Sequence, residues 1–186
     1  MPEWNAAPYL QFADERAQPS LDLIARLAVP QVVRIADIPC GPGNSTAALR
    51  RHWPNAEIVG LDNSPQMIEA ARETYPGEKW ILGDAATWKT GERFDLVFSN
   101  AALQWVPHHE TLIPHLFDQV ASGGALAVQV PAHYVSGLHR ETLSVADDAA
   151  WRERMKMARE AMTNHAPGFY YDFLQPLSVR IELWET

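Results

Sequence analysis

The 186-residue sequence predicts an α/β fold built on a doubly wound, mostly parallel sheet. Three observations point there. Short apolar runs rich in β-branched residues alternate with stretches of helical periodicity, the pattern of strand-helix-strand units. Those runs are apolar throughout and not on alternate residues, as strands covered by helices on both faces must be. Four of them end at Asp37, Asp62, Asp84 and Asn100, on the carboxyl edge where the ligand crevice of such a sheet lies.

The elements follow in order. PSLDLIARLAV places Leu21, Ile24 and Leu27 at three-residue intervals behind Ser20, a candidate N-cap, and Pro30 closes this amphipathic helix. VVRIADI (32–38) reads as the first buried strand, and STAALRRHW has helical character after the intervening Gly/Pro loop. EIVGLD (57–62) is the second strand; in the helix after it Ser64 is placed to cap and Pro65 to occupy the first turn. KWILGD (79–84) and FDLVFSN (94–100) are the third and fourth strands. A helix around HETLIPHLFDQVA is expected to end at a Gly123-Gly124 turn, with GALAVQVP (124–131) as the fifth strand.

After Pro131 the rhythm breaks. Residues 135 to about 165 are rich in Met, Arg and Glu with helical propensity, a helical insertion after strand five. FYYDFLQPL reads as a short helix, and VRIELWE (179–185) alternates Val179, Ile181 and Leu183 with Arg180 and Glu182, a sixth strand with one wet face.

Composition narrows the function. An apolar content of 47% and seven Trp describe an ordinary globule. No apolar stretch approaches the roughly 20 residues of a membrane span, and the N-terminus lacks the basic and apolar blocks of a secretory signal. A lone Cys40 permits no internal disulfide and suits a reducing, cytoplasmic setting. The net charge of -8 works against nucleic acid, and Arg50-Arg51-His52 is the densest basic run. The histidines do not pair with Cys or carboxylates at ligand spacing, so no metal is expected.

The loop ADIPCGPGNST (36–46) sets small residues between a buried strand and a helix. A ligand can approach such a backbone closely, and the helix N-terminus behind it offers free N-H groups. An anion site or a dinucleotide site would both look like this. The dinucleotide fingerprint wants a third Gly where this chain has Thr46, while Asp62, 21 residues beyond Gly41, stands where an acidic residue grips a ribose in either case.

The pattern Asp37-x-x-x-Gly41-x-Gly43, with Asp62, Asp84 and Asn100 at successive strand ends, resembles the class I S-adenosylmethionine-dependent methyltransferases from about residue 33 to 131. Within them, WNAAPYLQFADERAQP, CGPGNST, NAALQWVPHH, LAVQVP and IELWET resemble the trans-aconitate 2-methyltransferases over the whole chain except the insertion. The resemblance implies a Rossmann-like core and S-adenosyl-L-methionine as cofactor. It implies a methyl transfer to a carboxylate of a small acid, or to another small acceptor; a binder of the cofactor without turnover is the alternative from another class.

It also implies roles. Gly41 and Gly43 would leave room for the methionine part, and Asp37 would help hold its ammonium. Asp62 would accept the ribose hydroxyls, Met67 would lie against the adenine, Asp84 with the Ala85 N-H would take the adenine edge, and Asn100 would close the site below the sulfonium. Candidates for holding the acid are Arg16, Tyr9, His108, His109, His133 and Tyr134, with Trp4, Phe12 and Trp105 excluding water. Plainer readings stand beside these: Asp62 and Asp84 as caps of the following helices, Arg16 as an ion-pair partner of nearby acids, and His108 and His109 as caps or surface residues.

The expected organisation is an N-terminal cap and helix (1–30), a cofactor-binding core (31–131), an insertion forming a substrate lid (132–168), and a last helix with the sixth strand (169–186). Two departures from the family pattern stand out. Pro39 replaces a first Gly, and the family's final strand, which would insert between the fifth and sixth, is not expected within residues 1–186. A monomer is expected unless the bare edge of strand five is paired.

Overall fold

The computed structural model describes residues 13–132, 136–160, 162–163 and 165–185, without the side chains of 13–16 and 157–160. β1 (Arg34–Asp37), β2 (Glu57–Asp62), β3 (Lys79–Leu82), β4 (Phe94–Asn100) and β5 (Val120–Gln129) form one sheet in the order β3-β2-β1-β4-β5. Every neighbouring pair is parallel. The helices are α1 (Ala13–Ala25), α2 (Asn44–His52), α3 (Pro65–Thr74), α4 (His109–Phe117), α5 (Gly137–Ala146), α6 (Arg152–Glu160) and α7 (Pro167–Leu174). The chain builds outward from β1 through β2 to β3, then crosses back to place β4 on the other side of β1. That reversal puts the switch point between β1 and β4.

The continuous apolar runs are explained by cover on both faces. Ile35, Ile58, Leu96 and Phe98 pack with Leu23 and Ile24 of α1 and with Ala48 and Leu49 of α2. Ala36, Val59, Leu61 and Val97, which alternate with them, pack with Leu112, Ile113 and Leu116 of α4. Fully burying each Val, Leu, Ile or Phe side chain among these stabilises the fold by about 1.5–3 kcal/mol. At the β2-β3 edge Ile68, Ala71 and Trp80 form a smaller cluster with Cys40. Gly60 is required there, because a Cβ would lie 2.3 Å from the Trp80 ring.

Several elements differ from the sequence expectation. α1 begins six residues before Pro19, so Ser20 is not its cap; its buried hydroxyl donates to the Ala17 carbonyl at 2.7 Å. The inward stripe is Ser20, Leu23, Ile24 and Leu27, and Leu21 is exposed, as spacing of i, i+3, i+4 and i+7 dictates. β1 starts at Arg34 because the N-H groups of Val33 and Arg34 donate to the Asp95 carboxylate at 2.8 and 2.9 Å.

The Gly123-Gly124 pair is not a turn that ends a helix. α4 stops at Phe117, and both glycines lie inside β5, where the ladder jumps from Phe94 opposite Val120 to Leu96 opposite Ala125. Gly123 takes φ +81, and a Cβ on Gly124 would lie 2.6 Å from the Asp95 carbonyl oxygen, so a bulge of this shape demands small residues. The sixth strand is not formed either. Among the described residues, 181–185 have no ladder partner, and Val179, Leu183 and Trp184 are exposed. Alternation supplies two faces but no neighbour, and unpaired backbone does not make a sheet; Trp184 instead sits under the Arg26 guanidinium at 4.7 Å.

Candidate functional site

The strand register sets the site as a staircase. Asp37, the last residue of β1, is level with Gly60 of β2 and Phe98 of β4, so Asp62 and Asn100 each stand two residues further out, about 7 Å. Asp62 in turn is level with Leu82, and Asp84 lies two residues beyond that. Four polar side chains therefore rim one edge of the sheet, stepping away from the switch point.

The loop after β1 is pinned to both neighbouring strands. The Ile38 N-H donates to the Phe98 carbonyl and the Cys40 N-H to the Leu61 carbonyl, each at 2.8 Å. Pro39 follows a cis peptide bond. Gly41 and Gly43 both have positive φ, +55 and +94, where only glycine is unstrained. Their surroundings differ. A Cβ on Gly41 would meet nothing within 4 Å, whereas one on Gly43 would lie 2.8 Å from Tyr75 and 2.9 Å from Trp80. Gly43 therefore makes room for two rings of the fold, and of the two loop glycines Gly41 is the one whose Cβ position is open among the described residues.

Asp37 is fully buried, and its Oδ2 accepts from Ser45 Oγ at 2.7 Å and Thr46 Oγ1 at 2.6 Å. Among the described residues its Oδ1 has no partner. Burial pushes the carboxyl up to about 7, against the Thr46 and Ser45 hydrogen bonds and with help from Asp62. Ser45 and Thr46 hold the Asp37 carboxylate, a part the sequence did not assign to them; the signal was present as two hydroxyls on the first turn behind an acidic strand end.

Asp62 is also buried. Its Oδ2 accepts the Gly41 N-H and its Oδ1 the Ser64 N-H, both at 2.9 Å, and burial raises its carboxyl above the ordinary value. Ser64 caps α3 by accepting the Met67 N-H, with Pro65 in the first turn as the sequence implies; Met67 is buried. Asp84 is exposed and its Oδ1 accepts the Ala86 N-H at 2.9 Å, while Ala85 beside it is buried. The Oδ1 of Asn100 is buried and has no partner among the described residues. Ala101 after it takes φ +51, and its N-H is shared between the Gln129 carbonyl and side chain at 3.0 and 3.1 Å. The unpartnered atoms of Asp37 and Asn100 are both acceptors, a set that suits a cation or hydroxyl donors.

The expected acid-holding residues fare unevenly. Tyr9, Trp4, Phe12, His133 and Tyr134 lie outside the described residues, as does the side chain of Arg16. Trp105, in a short helical turn, is 40% exposed at the rim. His108 is the exposed, positive-φ residue before α4, with Nδ1 3.1 Å from Glu110. His109 is buried with both ring nitrogens engaged: Nε2 is 2.8 Å from the Leu103 carbonyl and Nδ1 2.8 Å from Tyr170 Oη. Burial lowers its pKa.

A family model described as methyltransferase domain matches residues 35–124. The chain is 44% identical over 188 residues to the trans-aconitate 2-methyltransferase of Variovorax paradoxus (strain S110), covering all of this chain and 73% of that protein. It is 40% identical over 186 residues to the trans-aconitate 2-methyltransferase of Azoarcus sp. (strain BH72), with the same coverage. The chain belongs to the trans-aconitate 2-methyltransferase family.

As a member of that family it is an S-adenosylmethionine-dependent methyltransferase. Its fold is similar to that of the S-adenosylmethionine-bound amino pentose methyltransferase from Micromonospora echinaspora, with a TM-score of 0.56 at 23% identity, covering 70% of this chain and 58% of that one. The residues of the staircase fit such a cofactor. A partnerless oxygen on Asp37, open space over Gly41 and a partnerless oxygen on Asn100 suit a molecule with an ammonium, hydroxyls and a sulfonium. Among the described residues no helix is long and apolar enough to cross a membrane.

Proposed function

We propose that this trans-aconitate 2-methyltransferase family member methylates a carboxylate oxygen of a small organic acid in the cytoplasm, with trans-aconitate first among acceptors, giving a methyl ester. The observation that carries the acceptor is the 40–44% identity, over the whole chain, to proteins of that name. The cofactor supplies, when bound, a methyl group on a sulfonium that is its own leaving group.

The residues of this chain then have holding and aligning parts. Asp37 Oδ1 would take the ammonium, which restores a partner to an oxygen that lacks one. Gly41 gives the backbone clearance. Asp62 accepts the Gly41, Ser64 and Asn63 N-H groups, and its remaining acceptor capacity would serve the ribose hydroxyls. Met67 would lie against the adenine, Asp84 and the Ala85 N-H would take its edge, and Asn100 Oδ1 would face the positive sulfur.

A carboxylate acceptor has a reference pKa of roughly 4 and is already ionised at neutral pH, so no general base is needed. The state of His109 agrees with this, since both ring nitrogens are engaged in the fold. Alignment of the acceptor oxygen with the methyl is what the enzyme contributes. Arg16, Tyr9, Trp105 and His108 are the residues proposed to hold the acid.

The test is a methyl-transfer assay over small mono-, di- and tricarboxylates with mass detection of the ester. Trans-aconitate is expected to be the preferred acceptor. Transfer to amines or hydroxyls only, or cofactor binding without turnover of any acid, would overturn the reading.

A further inference from the structure

The turn at residues 101–105 follows Asn100 directly, and contacts from far along the chain fix it. The Gln104 side chain donates to the Ala101 carbonyl at 2.8 Å, closing the turn on itself. The Gln104 carbonyl then accepts the Thr163 N-H at 2.7 Å. His109 supplies the second fastening: its Nε2 meets the Leu103 carbonyl and its Nδ1 meets the Tyr170 hydroxyl on α7, each at 2.8 Å.

Chemistry assigns the direction of these two bonds. A carbonyl only accepts, so Nε2 carries the proton; in the neutral ring Nδ1 is then an acceptor, and the Tyr170 hydroxyl donates to it. The ring is fully buried, so losing either partner leaves a polar atom unsatisfied in the core. His165 stands edge-on to His109 with centroids 5.5 Å apart and stacks on Phe169 at 3.8 Å, which closes the space around the pair. Tyr170 and Leu174 also pack on the core cluster that contains Leu103 and Leu112.

We propose that His109 and Tyr170 are a positioning pair that seats α7, the element after the helical insertion, against the turn beside Asn100 and so sets where the acceptor meets the methyl donor. The inference rests on reading the carboxyl edge of the sheet as the cofactor site. The pair touches neither reactant; it holds together two segments 61 residues apart, and a displacement of about 1 Å in such a support costs on the order of a hundredfold in rate.

The test uses the full chain and three variants. Tyr170→Phe removes one hydroxyl and keeps the ring. It is expected to lower kcat/KM for trans-aconitate about five- to tenfold, the worth of one buried hydrogen bond. Affinity for S-adenosylmethionine stays within about twofold, since β1 and β2 are untouched. His109→Gln, whose amide offers an N-H and a carbonyl for the same two partners, restores most of the loss that His109→Leu causes. Hydrogen exchange reads the same pair without catalysis: Tyr170→Phe speeds exchange at 101–105 and 163–170 and leaves β1 and β2 unchanged. Unaltered exchange at 101–105, or cofactor affinity falling in step with turnover, overturns the proposal. A wild-type chain inactive on trans-aconitate would sink the acceptor assignment alone, and exchange would still decide the pair; if His109→Leu does not fold, Tyr170→Phe decides it.

Discussion

The Asp62 carboxylate and the Gly41 amide, 21 residues apart in sequence, meet at 2.9 Å. The other oxygen takes the Ser64 N-H, so one side chain fixes the glycine loop and the start of α3 together. Asp62→Asn keeps the shape but offers one acceptor oxygen where the carboxylate offers two to the Gly41, Ser64 and Asn63 N-H groups. The expected cost is about 1–3 kcal/mol of stability and at least about tenfold in S-adenosylmethionine affinity. Urea unfolding and titration calorimetry measure the two; a stability loss with unchanged affinity would return Asp62 to the role of a cap.

Asp37 makes a pH prediction. Its carboxyl is raised by burial from 3.8 to about 7, so between those values the folded state holds a proton that the unfolded state has released. Stability from this group therefore falls as pH rises through that window and levels off above it. A cationic cofactor favours the ionised form, so binding below pH 7 releases a proton, and affinity rises with pH by up to about tenfold per unit. Calorimetry near pH 6 in buffers of different ionisation enthalpy should show that release, and Asp37→Asn should abolish it. Equal proton release in the variant would detach Asp37 from the bound ammonium.

The two loop glycines predict different losses. Gly41→Ala meets open space at φ +55 and should cost about 1–2 kcal/mol for the left-handed backbone alone. Gly43→Ala adds a collision with Tyr75 and Trp80 at under 3 Å, so its loss should be the larger, roughly 3 kcal/mol or more. Their order reverses for binding. Gly41→Ala should weaken the cofactor beyond what its stability explains, and a loss of affinity confined to Gly43→Ala would place the methionine part elsewhere.

What the sequence could carry divides by range. Asp37, Asp62 and Asn100 are legible because each is a polar residue closing an apolar run, whereas β3 stops at Leu82 and the expected strand end Asp84 lies exposed two residues beyond it. Ser64 and Pro65 are legible because a cap acts within one turn. The Asp62-Gly41 contact, the collision waiting at Gly43 and the His109-Tyr170 bond join residues 21, 32 and 61 positions apart, and no local pattern encodes such meetings. β5 shows the same limit: the glycine pair looks like a turn in isolation, and only the Asp95 carbonyl of the neighbouring strand makes it a bulge.

Arg50 supplies a last prediction away from the site. Its Nε and Nη2 grip the two oxygens of Glu78 at 2.6 and 2.7 Å, and Nη1 donates to the Pro54 and Ala56 carbonyls at 2.8 and 2.7 Å. One guanidinium thus ties the end of α2 to the approach of β2 and to the segment before β3, using a planar fork that a lysine lacks. Arg50→Lys should cost about 1–3 kcal/mol in urea unfolding because the largely buried Glu78 keeps its charge and loses its matched partner. Cofactor affinity and turnover should stay within about twofold, since the change lies far from the carboxyl edge. A binding loss equal to that of Asp62→Asn would show instead that α2 transmits its position to the glycine loop at its other end.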